Sequence, residues 1–198
     1  MKMKKLLYVD CCIRREESRT KELAEAFLNE VKKKGEYQIE TLCLMDEPLT
    51  YLSEGFLRQR EELILAHKLD HPRFRYAHQF AEADKIVVAA PLWDLSIPAL
   101  LKVYIENLTV EGITFGVDQR GLYGKCKADH LVFLTTRGTF YENTPMEMGS
   151  RYMEQMCGFF GIEKYDCIFA EGMDLGIRPV EEILGEAINK AVEAGKEF

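Results

Sequence analysis

The chain has 198 residues, with 26 Lys and Arg against 33 Asp and Glu and a formal net charge of −7. That length fits a single domain, residues 1–198, with a full core, and the acidic balance leaves no basic footprint for nucleic acid or an anionic membrane. No apolar run reaches the ~18 residues of a membrane span, and charge arrives at Asp10 and Arg14, too early for a secretory h-region, so a soluble, cytoplasmic protein is expected.

The first element is "KLLYVD" (5–10), an apolar run read as a strand. A polar loop follows from Cys11 to about Glu17, and a helix is expected from near Ser18, with Leu23, Ala24, Phe27, Leu28 and Val31 on one stripe and Gly35 as its stop. "YQIETLCL" (37–44) alternates, with Glu40 outward, and suits an edge strand. Residues 53–83 read as one or two helices broken at "HPR" (71–73). "KIVVAAP" (85–91), "HLVFLTT" (130–136) and "YDCIFAE" (165–171) are near-continuous apolar runs, as strands covered on both faces require. A helix opens at Pro98, 109–127 reads as a loop, another helix covers 145–160, and the last follows Pro179 with apolar residues at helical spacing. The six cysteines sit mostly in apolar patterns and read as reduced thiols. His67, His71, His78 and His130 read as surface or helix-packing residues without metal-ligand spacing, and the methionines at 146, 148, 153 and 156 as core or interface packing.

Strand and helix alternating to five strands predict a doubly wound, three-layer α/β sandwich with a five-stranded parallel sheet, order 2-1-3-4-5. In such sheets ligands bind beyond the carboxyl ends of the strands, which here means the loops after residues 10, 91 and 136. A helix N-terminus carries unpaired N–H groups and partial positive charge, so Ser18, Arg19 and Thr20 could hold a phosphate monoester without the glycines of a dinucleotide loop. Taken alone, Ser18 is more often a plain N-cap and Arg19 a solvated charge. In the second loop Trp93, the only tryptophan, stands beside Leu92 and Leu95, where it could face a flat aromatic ligand or pack on a helix or partner subunit. The third loop, Thr136 to Thr139, brings two hydroxyls, a cation and Gly138 to the same edge, or is simply a glycine turn.

The segment "APLWDLSIPALLKVYIENLTVEGITF" (90–115), with "TTRGT" (135–139) and "FAEG" (169–172), resembles the FMN-dependent NADH azoreductase branch of the flavodoxin-like NAD(P)H:quinone oxidoreductases, over nearly the whole chain. The resemblance implies a homodimer with one FMN per subunit, its active site completed by the partner, and ping-pong two-electron reduction of quinones and azo compounds by NADH or NADPH. It places the phosphate loop on Cys12, Ser18, Arg19 and Thr20, one ring-facing segment on Leu92, Trp93, Asp94 and Leu95, and a second on Thr136, Arg137, Gly138 and Thr139. Arg137, Gly138 and Thr139 are also the candidates for stabilising charge at the flavin N1–O2 edge; no side-chain acid, base or nucleophile is implied. Cys12 stands where a hydroxyl residue is usual, Asp94 where asparagine is usual, and Thr139 where a second glycine is usual. Two other readings share the fold, an electron carrier like flavodoxin and a flavin-free binding or regulatory module.

Overall fold

A computed structural model describes residues 3–198. Its elements are β1 (Lys4–Asp10), α1 (Arg19–Lys34), β2 (Tyr37–Cys43), α2 (Glu54–Leu65), α3 (Arg75–Glu82), β3 (Lys85–Ala89), α4 (Ala99–Leu108), β4 (Phe115–Asp118), β5 (Gly121–Gly124), β6 (His130–Thr136), α5 (Gly149–Phe160), β7 (Lys164–Ala170) and α6 (Val180–Glu197), with short 3₁₀ turns at Arg15–Glu17, Leu44–Asp46 and Pro72–Phe74.

Five strands form one parallel sheet in the order β2-β1-β3-β6-β7. Counting only the strands of this sheet, that is the expected order 2-1-3-4-5. Strand residues alternate between two buried clusters. Leu6, Tyr8, Val87, Val132 and Leu134 pack with Leu23, Phe27 and Val31 of α1 and Leu184, Ala187 and Ala191 of α6. Leu7, Val9, Ile86, Val88, Leu131 and Phe133 pack with residues of α3, α4 and α5, among them Phe80, Tyr104 and Phe160. At about 25 cal/mol per Å² of apolar surface, each buried Leu or Phe contributes roughly 1.5–3 kcal/mol against the entropy of ordering the chain.

Three readings need correction. The apolar run at 165–171 predicts a strand covered on both faces, yet β7 is the second edge strand and is buried only at alternate positions near its end. The stretch 109–127 holds an antiparallel hairpin, β4–β5, rather than only loop. It docks so closely on the end of α5 that a Cβ on Gly124 would lie 2.0 Å from the Gly161 nitrogen, a contact that only glycine permits. Helix α5 starts at Gly149, not 145, with Met148 at the N-cap position; just before it, Glu147 reaches forward to accept the Ser150 N–H at 2.9 Å and satisfies one of the free donors of the first turn.

His130 is not a surface residue. It is buried at the start of β6, its ring 4.9 Å from that of Phe198, with Nε2 bonded to Asp166 Oδ2 at 2.7 Å. Met153 and Cys157 lie in the core, whereas Met146 and Met148 are exposed.

Candidate functional site

Strands β1, β3 and β6 all end at one margin of the sheet, and the loops beyond them meet there. The first begins with Asp10, whose Oδ1 accepts the Cys12 N–H at 2.8 Å and turns the chain sharply after β1. A single 3₁₀ turn follows, and Ser18 then caps α1, its hydroxyl accepting the Lys21 N–H at 3.3 Å. The loop after β3 reverses at Trp93–Ser96, which exchange both main-chain hydrogen bonds at 2.9 Å. Its two central residues, Asp94 and Leu95, have φ of +49° and +68°. This mirror-image turn favours Asn, Asp or Gly, so aspartate is conformationally suited to position 94, while Leu95 occupies it at a cost of roughly 1–2 kcal/mol. The Met148 N–H, bonded to the Leu95 carbonyl at 3.1 Å, holds that conformation in place.

These loops wall a solvent-open cleft of about 560 Å³ lined by Ser18, Arg19, Thr20, Leu92, Trp93, Thr136, Arg137 and Gly138. Thr20 Oγ1 and Thr136 Oγ1, 116 positions apart in the chain, lie 2.6 Å from each other and tie the first loop to the third. Trp93 is 42 % exposed at the cleft mouth and also borders a neighbouring apolar hollow that includes Asp94, Ile97, Pro98 and Tyr152.

Four expected residues do not line this cleft. Asp94 borders the neighbouring hollow, and Leu95 and Thr139 belong to the lining of neither. Cys12 lies beneath the first loop, fully buried, its Sγ 3.8 Å from the Ala89 carbonyl. Burial, and then the Asp10 carboxylate, push its thiol well above the ordinary range, so it packs as a neutral group. Arg137 lines the cleft, but its guanidinium turns inward. Only 3 % of the residue is exposed, and the charge sits over the Phe169 ring, 3.3 Å from Glu147 and 3.5 Å from Glu171.

Periodicity and loop position did not single out Ile13, Arg14, Met173 and Asp174, which also line the cleft, as do Glu17 and Pro91. Asp174 follows the quoted "FAEG" by two residues and is paired with Arg19 at 2.9 Å. Its Oδ2 lies 2.6 Å from where a Cβ on Gly138 would stand, so Gly138 leaves room there that any other residue would fill.

The donors around the cleft fit a phosphorylated flavin. Among the described residues no protein acceptor meets the main-chain N–H groups of Arg19 and Thr20 at one end, or of Gly138 and Thr139 at the other. The first pair, at a helix N-terminus with the Arg19 cation and two hydroxyls, suits a phosphate. The second suits a polar ring edge, and Leu92 and Trp93 supply an apolar wall between them.

A family model described as having the flavodoxin-like fold matches residues 4–194. An FMN-dependent NADH:quinone oxidoreductase of Clostridium beijerinckii is 39 % identical over 198 residues, covering 99 % of this chain and 100 % of that one. An FMN-dependent NADH:quinone oxidoreductase 2 from Clostridium acetobutylicum is 40 % identical over 201 residues, with the same coverage. Among solved structures, an azoreductase from Bacillus anthracis superposes with a TM-score of 0.89 at 30 % identity, covering 99 % of this chain and 100 % of that one.

Proposed function

We propose a function on the premise that the chain belongs to this flavodoxin-like family: it is an FMN-dependent NADH:quinone oxidoreductase that also reduces azo compounds. The observation that carries this is the meeting of three loops at one sheet margin, with free N–H donors at both ends of the cleft and an aromatic wall between. We read the two buried clusters as the two helical layers of a doubly wound sandwich, and residues 1–198 as one domain.

In this reading Ser18, Arg19 and Thr20 hold the phosphate, and Leu92 and Trp93 pack along the ring. The N–H groups of Gly138 and Thr139 hydrogen-bond its polar edge, where negative charge grows on reduction. Fixed dipoles stabilise that charge without reorganising. Cys12 and Arg137 support the loops from below rather than touching the cofactor. Held by these residues, FMN would supply the two-electron redox chemistry that links NADH to the acceptor, and we read the cycle as ping-pong.

The exposed ring of Trp93 at the cleft mouth favours flat, poorly hydrated acceptors. Phe140, Met146 and Met148 are exposed apolar side chains too, and we assign them to the face on which a second copy of the chain would close the site, giving a homodimer. All six cysteines are free, which suits a reducing cytoplasm.

A visible spectrum of the purified protein tests this directly. A flavin band that bleaches on anaerobic addition of NADH and returns with menadione is expected. A colourless protein that takes up no FMN would point to a binding module, and a flavin band untouched by either nicotinamide to an electron carrier.

A further inference from the structure

Arg19 is the cation at the helix N-terminus where the proposed phosphate would sit, with Arg14 also in the cleft lining, and Arg19 already has an anionic partner. Its Nη1 donates to Asp174 Oδ1 at 2.9 Å, across the cleft and 155 positions away in sequence. The other carboxylate oxygen rests against Gly138, in the space a side chain there would need. The Asp174 main chain is fixed by its N–H, which donates to the Gly138 carbonyl at 2.8 Å, but its side chain is 70 % exposed and free to swing outward.

We propose that Asp174 is an internal counter-ion which competes with the flavin phosphate for Arg19 and so tunes the preference for phosphorylated over unphosphorylated flavin. The inference rests on the flavin reading above. A guanidinium paired with a carboxylate offers less to a second anion, and two anions on one cation repel each other. Binding of the phosphate therefore exchanges one ion pair for another rather than neutralising a free charge. Exposed pairs of this kind stabilise modestly, so removal of the competitor should raise affinity by about two- to fivefold.

The test measures quenching of flavin fluorescence by flavin-free protein, for FMN and for riboflavin, in wild type, Asp174→Asn and Asp174→Ala. Both variants should bind FMN about two- to fivefold more tightly and riboflavin unchanged, and in an Arg19→Gln background the gain should vanish. Weaker or unchanged FMN binding overturns the proposal. So does an equal gain with riboflavin, which would mean that the carboxylate obstructs the ring instead. If wild type quenches neither flavin, the functional reading fails by itself. The same comparison with inorganic phosphate, by calorimetry, then decides the inference: tighter binding in the Asp174 variants supports it and equal binding refutes it.

Discussion

At the scale of single residues, the Thr20–Thr136 contact has the clearest energetic meaning. The two hydroxyls face each other at 2.6 Å, and Thr20 is almost wholly buried. Thr20→Val keeps the shape and leaves the Thr136 hydroxyl without its partner, so a loss of about 1–2 kcal/mol is expected. Replacing both by valine removes both polar groups and should recover most of that loss, whereas flavin affinity should stay low because the loop hydroxyls are gone. Urea unfolding of the two single variants and the double variant checks the sign of the coupling. His130 is a second case. Burial lowers its pKa, against the opposing Asp166 hydrogen bond and with help from Lys164 and Lys85. The folded state therefore binds fewer protons than the unfolded chain below the ordinary histidine value of about 6.5, and stability rises with pH in that window. The protein should lose stability as pH falls from 7 toward 5, and His130→Phe should flatten that slope in denaturant titrations at stepped pH.

At the scale of elements, Arg137 joins three pieces of chain. Glu147 binds it and accepts the Ser150 N–H in the first turn of α5; Glu171 binds it and accepts the N–H groups of Tyr141 and Glu142 at 2.9 and 3.0 Å. The guanidinium thereby anchors the third loop to the start of α5 and to the end of β7. Glu147→Ala leaves Arg137 paired with Glu171 but removes the nearer carboxylate and the acceptor of the Ser150 N–H, so a loss of about 1–3 kcal/mol is expected. Glu147→Gln keeps the acceptor for the Ser150 N–H and should cost clearly less; equal losses in thermal melts of the two variants would mean that the charge alone matters. None of this was legible in the sequence. Loop position gave Arg137, Gly138 and Thr136 because strand ends are marked by apolar runs stopping. A side chain turning inward to partners 10 and 34 positions away leaves no local pattern. The same limit explains the hairpin, whose four-residue strands are too short for periodicity to register, and Asp174, whose role comes from a contact across the cleft. By contrast, α1 and α6 were readable almost to the residue, since both carry a repeating apolar stripe, and Gly35 and Pro179 mark where α1 stops and α6 begins.

At the scale of the whole molecule, the cleft exists only when β1, β3 and β6 are side by side, because its walls come from residues near 18, 92 and 136. The unfolded chain cannot present those walls together, so a ligand of the cleft binds the folded state alone and stabilises it by mass action. At a free concentration one hundred times its dissociation constant, FMN should add about 2.7 kcal/mol. For a chain of 198 residues each kcal/mol moves the thermal midpoint by roughly 2–4 °C, which gives a rise of about 5–10 °C. Each further tenfold increase in FMN should add about 1.4 kcal/mol, hence a steady climb rather than a plateau. Far-ultraviolet melts of flavin-free protein over a range of FMN concentrations measure this without any turnover. A midpoint that ignores FMN would mean that the three loops do not act together as one binding surface. A climb that begins at higher FMN concentration for Thr20→Val than for wild type would tie the whole-molecule effect to the hydroxyl contact that joins the first loop to the third.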